Sequence, residues 1–130
     1  VGLRICPGNP FNDLHDDDPA ATLAALLAAA TPLKLAYLHL VYLPQLAVDG
    51  LQLVQQHYRG ALVLNDSLTF ETASQTVASG VAEAVSFGRP FIGNPDLVER
   101  FRRGAALAAF DPAPLYTAGA QGYTDYPVLA

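Results

Sequence analysis

The alternation of short apolar runs with longer helix-patterned segments constrains the fold of this 130-residue chain more than any other feature. Each apolar run has the length of a β-strand, and the segment after it carries apolar residues at helical spacing. Such an alternation is typical of repeated β-α units around a parallel sheet. The four predicted strands span residues 2–5, 35–41, 61–64 and 82–87.

Capping residues predict where the first two helices lie. Asp18 is a favoured N-cap residue, and Pro19 suits the first helical position, where a backbone N–H has no helical partner. Pro32 ends this helix, because proline cannot continue it. A second helix is predicted over residues 47–58. The first helix carries one apolar stripe, formed by Leu23, Leu26, Leu27 and Ala30.

The same signals predict the last two helices. Thr69 can cap a helix that runs to about residue 79. Asn94 is the predicted N-cap of the fourth helix, since a proline and an aspartate follow it in the order that helix starts prefer. That helix ends at Gly104. Residues 105–130 are rich in Pro, Gly and Tyr, and we expect them to form an irregular tail.

Four consecutive β-α units correspond to half of an eightfold barrel, which usually has about 250 residues. A half-barrel leaves two open sheet edges, which natural proteins seldom leave unprotected. We therefore expect another half-barrel, or a second copy of this chain, to complete the sheet. The sequence contains no methionine, and we interpret the chain as a truncated or processed piece.

Composition and charge argue against several classes of protein. The net charge of −5 and the scattering of only seven basic residues argue against nucleic-acid binding, which depends on clustered Lys and Arg. The longest apolar stretch, residues 35–43, is interrupted by His39 and is far shorter than the roughly 20 residues that span a bilayer. Cys6 is the only cysteine. An internal disulfide is therefore impossible, and a cytoplasmic location is the expectation.

Two predicted strand ends could bind a phosphate. In βα-barrels, phosphates commonly lie on the loops after the seventh and eighth strands. The corresponding loops here are residues 65–67 (Asn-Asp-Ser) and the pair Gly88 and Arg89. Glycine lets a backbone N–H approach a phosphate closely, and an arginine side chain can bind two of its oxygens. From the pattern alone, Gly88 and Arg89 could equally form a tight turn with a surface arginine.

Three segments make the chain resemble a known family. Residues 85–97, VSFGRPFIGNPDL, are similar to the phosphate-binding signature of the Old Yellow Enzyme family of FMN-dependent ene-reductases. Residues 3–7, LRICP, are similar to the family's Arg-Leu-Ser-Pro element, and residues 122–127, GYTDYP, to its carboxyl-terminal signature. The resemblance spans the whole chain. It implies that residues 1–130 form the carboxyl-terminal half, the last four β-α units, of an FMN-binding (β/α)8 TIM barrel.

The resemblance also implies site residues. Arg4 would lie beside flavin N1 and the C2 carbonyl, where a fixed positive charge stabilises the negative charge of reduced flavin. The loop at Asp66 and Ser67 would offer backbone N–H groups to the phosphate, and Tyr123 would line the substrate side. The implied flavin contacts are Arg4, Asp66, Ser67, Phe87, Gly88 and Arg89.

The chain departs from the family pattern at two positions. Asp66 stands where relatives often have Gly or Ala, and its carboxylate would have to point away from a dianionic phosphate. Cys6 stands where serine is usual, and we expect a buried, inert thiol there. No metal site is expected, because the aspartates around His15 are explained by helix capping and by the helix dipole.

The resemblance implies that this half contains no catalytic residue. In this family, the His or His/Asn pair that binds the substrate and the tyrosine that protonates it lie in the amino-terminal half. The implied activity, in which NAD(P)H reduces FMN and the flavin reduces an electron-poor alkene as the small-molecule substrate, would need that half. One alternative is another phosphate-binding barrel, such as an isomerase or aldolase, although Lys34 is the only lysine and precedes its strand. Another is an inactive half-barrel remnant that dimerises.

Overall fold

Four parallel strands form a single sheet in the computed structural model, which describes residues 1–129. The strands lie in chain order, and each pairs in parallel with the next. They are β1 (Leu3–Ile5), β2 (Leu38–Val41), β3 (Leu62–Asn65) and β4 (Ala84–Ser86). The predicted α/β fold class, with β-α units around a parallel sheet, is therefore confirmed.

Helices follow every strand along the chain. The helices are α1 (Pro19–Ala30), α2 (Gly50–His57), α3 (Phe70–Ala78), α4 (Arg89–Gly93) and α5 (Leu97–Arg103). A short 3-10 turn (Thr31–Leu33) follows α1 before β2. The chain divides into two compact units, the first spanning Val1–Ser86 and the second beginning at Phe87.

The predicted helix caps of the first unit are confirmed. The Asp18 carboxylate accepts a hydrogen bond from the Ala21 backbone N–H, 2.9 Å away, at the start of α1. Thr69 and Thr72 cap each other at the start of α3, where each side chain bonds the backbone N–H of the other. Each bond satisfies an N–H that has no partner within its helix.

The core of the first unit lies between one face of the sheet and the helices α1 and α2. Leu38 and Leu40 of β2 are fully buried there against Leu27 and Val54 of these helices. Of the predicted apolar stripe of α1, Leu23, Leu27 and Ala30 are buried, whereas Leu26 is 39% exposed. Leu26 instead lines a surface cavity beside α1.

In the second unit, the prediction that Asn94 is a helix N-cap is wrong. Asn94 follows α4, and the N-cap of α5 is Asp96. The Asn94 amide is 1% exposed and accepts from Ala108 N–H at 2.7 Å. It also donates to the carbonyls of Pro90 and Ala108, at 2.9 and 3.0 Å. The side chain therefore joins α4 to the tail instead of starting a helix.

The irregular tail is held to α5 by polar contacts. Arg100, 7% exposed, donates to Asp96 at 2.8 Å and to the Ala106 carbonyl at 2.9 Å. The Asp96 carboxylate also accepts from the Leu129 N–H at 2.7 Å. These hydrogen bonds lower the pKa of Asp96 below its usual value. Residues 105–129 contain turns and bends but neither helix nor strand.

Candidate functional site

The face of the sheet that points away from the helical core carries polar side chains. Side chains alternate between the two faces of a strand, so His39 lies opposite Leu38 and Leu40, which are buried. Arg4 pairs with His39 in the register of β1 and β2, and Asn65 pairs with Ser86 in that of β3 and β4. Each strand therefore contributes one polar side chain to this face.

Arg4 is held by two of these side chains. Its Nη2 donates to Asn65 Oδ1 at 3.1 Å. Its Nη1 lies 3.1 Å from Nδ1 and 2.9 Å from Nε2 of His39. Asn65 carries no charge, and burial, together with the nearby Arg4 charge, lowers the pKa of His39 below its ordinary value and so favours its neutral form. The positive charge of Arg4 is thus fixed in place without being cancelled.

The arginines of α5 are held differently. Arg100 forms an ion pair with Asp96, and both Arg102 and Arg103 form ion pairs with Glu99. A carboxylate partner fixes an arginine but neutralises its charge. The contrast with the neutral partners of Arg4 indicates that Arg4 is suited to stabilising an anion on the exposed side of the sheet.

Cys6 lies close to Arg4 in the loop after β1. Burial raises the pKa of the Cys6 thiol above its usual value, Arg4 opposes that rise, and Asp66 adds to it. A thiol with a raised pKa is protonated and weakly nucleophilic at neutral pH. The Cys6 side chain is half-buried, so the expectation of a buried thiol is wrong, and its inertness stays a prediction that the raised pKa supports.

The loop after β3 has an unusual backbone. Asp66 and Ser67 have φ angles of +70° and +53°, the left-handed region in which glycine is the favoured residue. The Asp66 carboxylate accepts the Ser67 backbone N–H at 2.7 Å. One of the two amides expected to bind phosphate is therefore already occupied by the carboxylate.

In the second unit, the predicted flavin contacts Phe87, Gly88 and Arg89 lie at the start of α4. Gly88 is its N-cap, Arg89 its first residue, and both are exposed. A Cβ at Gly88 would meet no atom within 4 Å, so space for a ligand is open there. The ring of Phe87 packs edge-on against that of Phe101, with centroids 5.1 Å apart. Phe87 is therefore fixed by an aromatic contact within its own unit.

Tyr123 lies on a turn of the tail. Its side chain is 66% exposed, and its backbone N–H donates to the Ala120 carbonyl at 3.0 Å. The turn is closed by Gly122, whose φ is +68° and whose N–H donates to Asp125. The phenol is thus presented on the surface of the second unit rather than packed within it.

The first unit also contains a cavity of about 620 Å³ that the sequence motifs did not identify. It lies between the loop after β1, the first half of α1 and residues 46–48. The one signal for it was the length of the Pro- and Gly-rich loop, because long loops in compact domains are often functional.

Among residues 1–129, no three His, Cys, Asp or Glu side chains are grouped to hold a metal ion. Within the same part of the chain, no helix is long and apolar enough to cross a membrane.

No family model matches the chain. Curated proteins similar to it include a probable flavin mononucleotide-dependent alkene reductase of Leishmania infantum, 39% identical over 133 residues. A putative 12-oxophytodienoate reductase 10 of Oryza sativa subsp. japonica is 34% identical over 143 residues. Each alignment covers 99% of this chain, but only 36% of the first relative and 45% of the second. The chain thus spans less than half the length of these relatives.

Solved structures give the same result. The old yellow enzyme from Trypanosoma cruzi is 39% identical and superposes with a TM-score of 0.91. That match covers all of this chain and 35% of the Trypanosoma protein. Morphinone reductase is 38% identical with a TM-score of 0.85, over 99% of this chain and 36% of its own. A full-length match to about a third of these proteins agrees with the predicted half of a (β/α)8 barrel.

Proposed function

Since this chain belongs to the Old Yellow Enzyme family, we propose that residues 1–130 form the carboxyl-terminal half of an FMN-binding ene-reductase barrel. The rest of the barrel would come from an amino-terminal half or from a second copy. When bound, FMN would accept hydride from NAD(P)H and pass it to an electron-poor alkene. Without the completing half, this chain is expected to bind flavin weakly and to lack activity.

The uncancelled charge of Arg4 is the observation that carries this proposal. Reduced flavin is anionic near N1 and the C2 carbonyl, so a cation fixed before the reaction stabilises it. Arg4 meets this requirement, because His39 and Asn65 hold its guanidinium without contributing negative charge. Its position on the exposed side of the sheet leaves it accessible to a ligand.

The resemblance assigns phosphate contacts to Asp66 and Ser67 in the first unit and to Gly88 and Arg89 in the second. Sequence similarity over residues 85–97 supports the assignment, as does the open space at Gly88. Phe87 would contact the flavin from the same segment, and Tyr123 would line the substrate side. An isomerase or aldolase is less well supported, because Lys34 lies just before β2 and not at the carboxyl end of a strand.

Comparing FMN with riboflavin tests this proposal. We expect the protein expressed from its complete gene to bind FMN, and to bind riboflavin at least about 100-fold more weakly, because charge-assisted hydrogen bonds contribute about 1.5–3 kcal/mol each. Flavin fluorescence quenching measures both affinities. Equal affinities would disprove the phosphate site, and no binding of either flavin would disprove the proposed cofactor. A dimer that forms without flavin and binds none would support the structural remnant instead.

Asp66→Gly is expected to increase FMN affinity about tenfold. The substitution removes a negative charge from the phosphate loop and frees the Ser67 N–H, which now bonds the carboxylate. The free energy of unfolding should change by less than about 1 kcal/mol. Glycine relieves the strain of the left-handed backbone, but its greater conformational freedom in the unfolded chain offsets that gain. Isothermal titration measures the affinity.

The matched control for that prediction is Ser67→Gly. It makes the same backbone change at the other residue of positive φ but keeps the Asp66 carboxylate. The FMN affinity of this variant should stay within about threefold of the wild-type affinity, a smaller change than the roughly tenfold increase expected for Asp66→Gly. If both variants increase affinity equally, the loop conformation and not the carboxylate limits binding.

A further inference from the structure

Four side chains, one from each strand, form a closed hydrogen-bonded ring on the open face of the sheet. Arg4 contacts Asn65 and Nδ1 of His39, and Asn65 and Nε2 of His39 both contact Ser86. His39 Nε2 lies 2.8 Å from Ser86 Oγ. Asn65 Nδ2 lies 3.0 Å from the same oxygen and donates to the Ser86 carbonyl at 2.9 Å. The guanidinium is therefore fixed from two directions, and each support is itself fixed by Ser86.

The chemistry of this ring restricts His39 to its neutral form. An arginine N–H can only donate, so the imidazole must offer an unprotonated nitrogen to accept it. A protonated ring would carry two donors and a like charge beside Arg4. Carboxylates in place of His39 and Asn65 would fix the guanidinium equally well, but they would cancel its charge. Neutral acceptors fix the position of the charge and preserve its full strength.

We propose that His39 is a positioning residue for Arg4, and that its contact determines how strongly the site prefers reduced, anionic flavin over oxidised flavin. This inference rests on the proposed function and extends it to a residue that does not touch the flavin. Asn65 and Ser86 complete the support. Without the imidazole, Asn65 alone would hold Arg4. The guanidinium would then occupy several side-chain conformations, and its charge would no longer be fixed in one place.

The ratio of the dissociation constants of oxidised and reduced FMN tests this proposal. It is measured anaerobically on the protein expressed from its complete gene. His39→Ala is expected to lower the preference for reduced FMN about tenfold, equivalent to a potential lower by about 30 mV for a two-electron couple. Affinity for oxidised FMN should change much less, because that form carries no flavin anion.

Two further variants separate position from charge. His39→Gln should restore most of the preference, because its amide oxygen can accept from Arg4. Asn65→Asp should lower the preference, because a carboxylate cancels the Arg4 charge and cannot donate to Ser86 as the Asn65 amide does. The matched control is His57→Ala, which removes an exposed histidine at the end of α2 and should have no effect.

The outcomes distinguish the two proposals. If wild type binds FMN and His39→Ala keeps the wild-type preference, His39 does not position Arg4. If His39→Ala does not fold, the decision falls to His39→Gln and Asn65→Asp, and an unchanged preference in Asn65→Asp overturns the inference. Absence of FMN binding in the wild-type protein overturns the proposed function itself.

Discussion

Replacing Arg4 with leucine is expected to slow the reduction of bound FMN by NAD(P)H about 100-fold, equivalent to roughly 3 kcal/mol. In the proposed reaction the flavin would gain negative charge on reduction, and Arg4, a cation held by neutral partners, would stabilise it. Leucine fills part of the same space but offers neither charge nor hydrogen bonds. Anaerobic stopped-flow absorbance of the flavin measures the rate, and the flavin content of the purified protein measures retention.

The matched control for this prediction is Arg103→Leu. Arg103 is an exposed arginine of α5, and its ion pair with Glu99 lies on the surface, where such pairs contribute little. The control should therefore reduce FMN at the wild-type rate. A wild-type rate in Arg4→Leu would show that the charge of reduced flavin is stabilised elsewhere. An equal loss in both variants would point to a general effect of net charge.

The caps Asp18 and Thr69 were predictable from sequence, because each accepts the backbone N–H of the residue three positions later and the signal lies within one short segment. The start of α2 was predicted three residues too early, although its cap, Asp49, is equally local. The strand order was also accessible, because alternating β-α units favour neighbouring parallel strands. Strand β2 begins three residues later than predicted, since Lys34 has a φ of +49° after the 3-10 turn. Apolar composition alone does not reveal that turn.

The hydrogen-bonded ring of Arg4, His39, Asn65 and Ser86 could not be predicted from local sequence signals. Arg4 and His39 are 35 residues apart, and Arg4 and Asn65 are 61 apart, so their contacts depend on strand register. The role proposed for Arg4 came from resemblance, whereas the sequence marked His39 only as a polar interruption of an apolar stretch. One usable signal was present, because a histidine at alternate spacing to Leu38 and Leu40 must face away from the side that buries them.

The loop at Asp66 and Ser67, which we propose binds the flavin phosphate, shows a second limit of prediction from sequence. Sequence reasoning required the Asp66 side chain to avoid the phosphate, and the structure places it on the Ser67 N–H. A local side-chain bond of this kind competes with ligand binding for the same donor. Residue types alone did not reveal that competition, because it depends on the positive φ angles of both residues.

Asn94→Asp is expected to destabilise the second unit by about 2–4 kcal/mol, as much as Asn94→Ala. The buried amide donates to the carbonyls of Pro90 and Ala108 and accepts from the Ala108 N–H. Aspartate would keep the acceptor but turn a carboxylate oxygen toward two carbonyl oxygens. Urea denaturation, followed by far-UV circular dichroism, measures the change.

The matched control for Asn94→Asp is Asp18→Asn, at the real N-cap of α1. Asparagine and aspartate are nearly equivalent as N-caps, so this change should cost less than about 0.5 kcal/mol. If Asn94 were a helix cap, as its position before a proline suggested, Asn94→Asp would be equally mild. A mild effect would therefore restore the sequence-based assignment, whereas a large one shows that the amide N–H groups of Asn94 hold the tail onto α4.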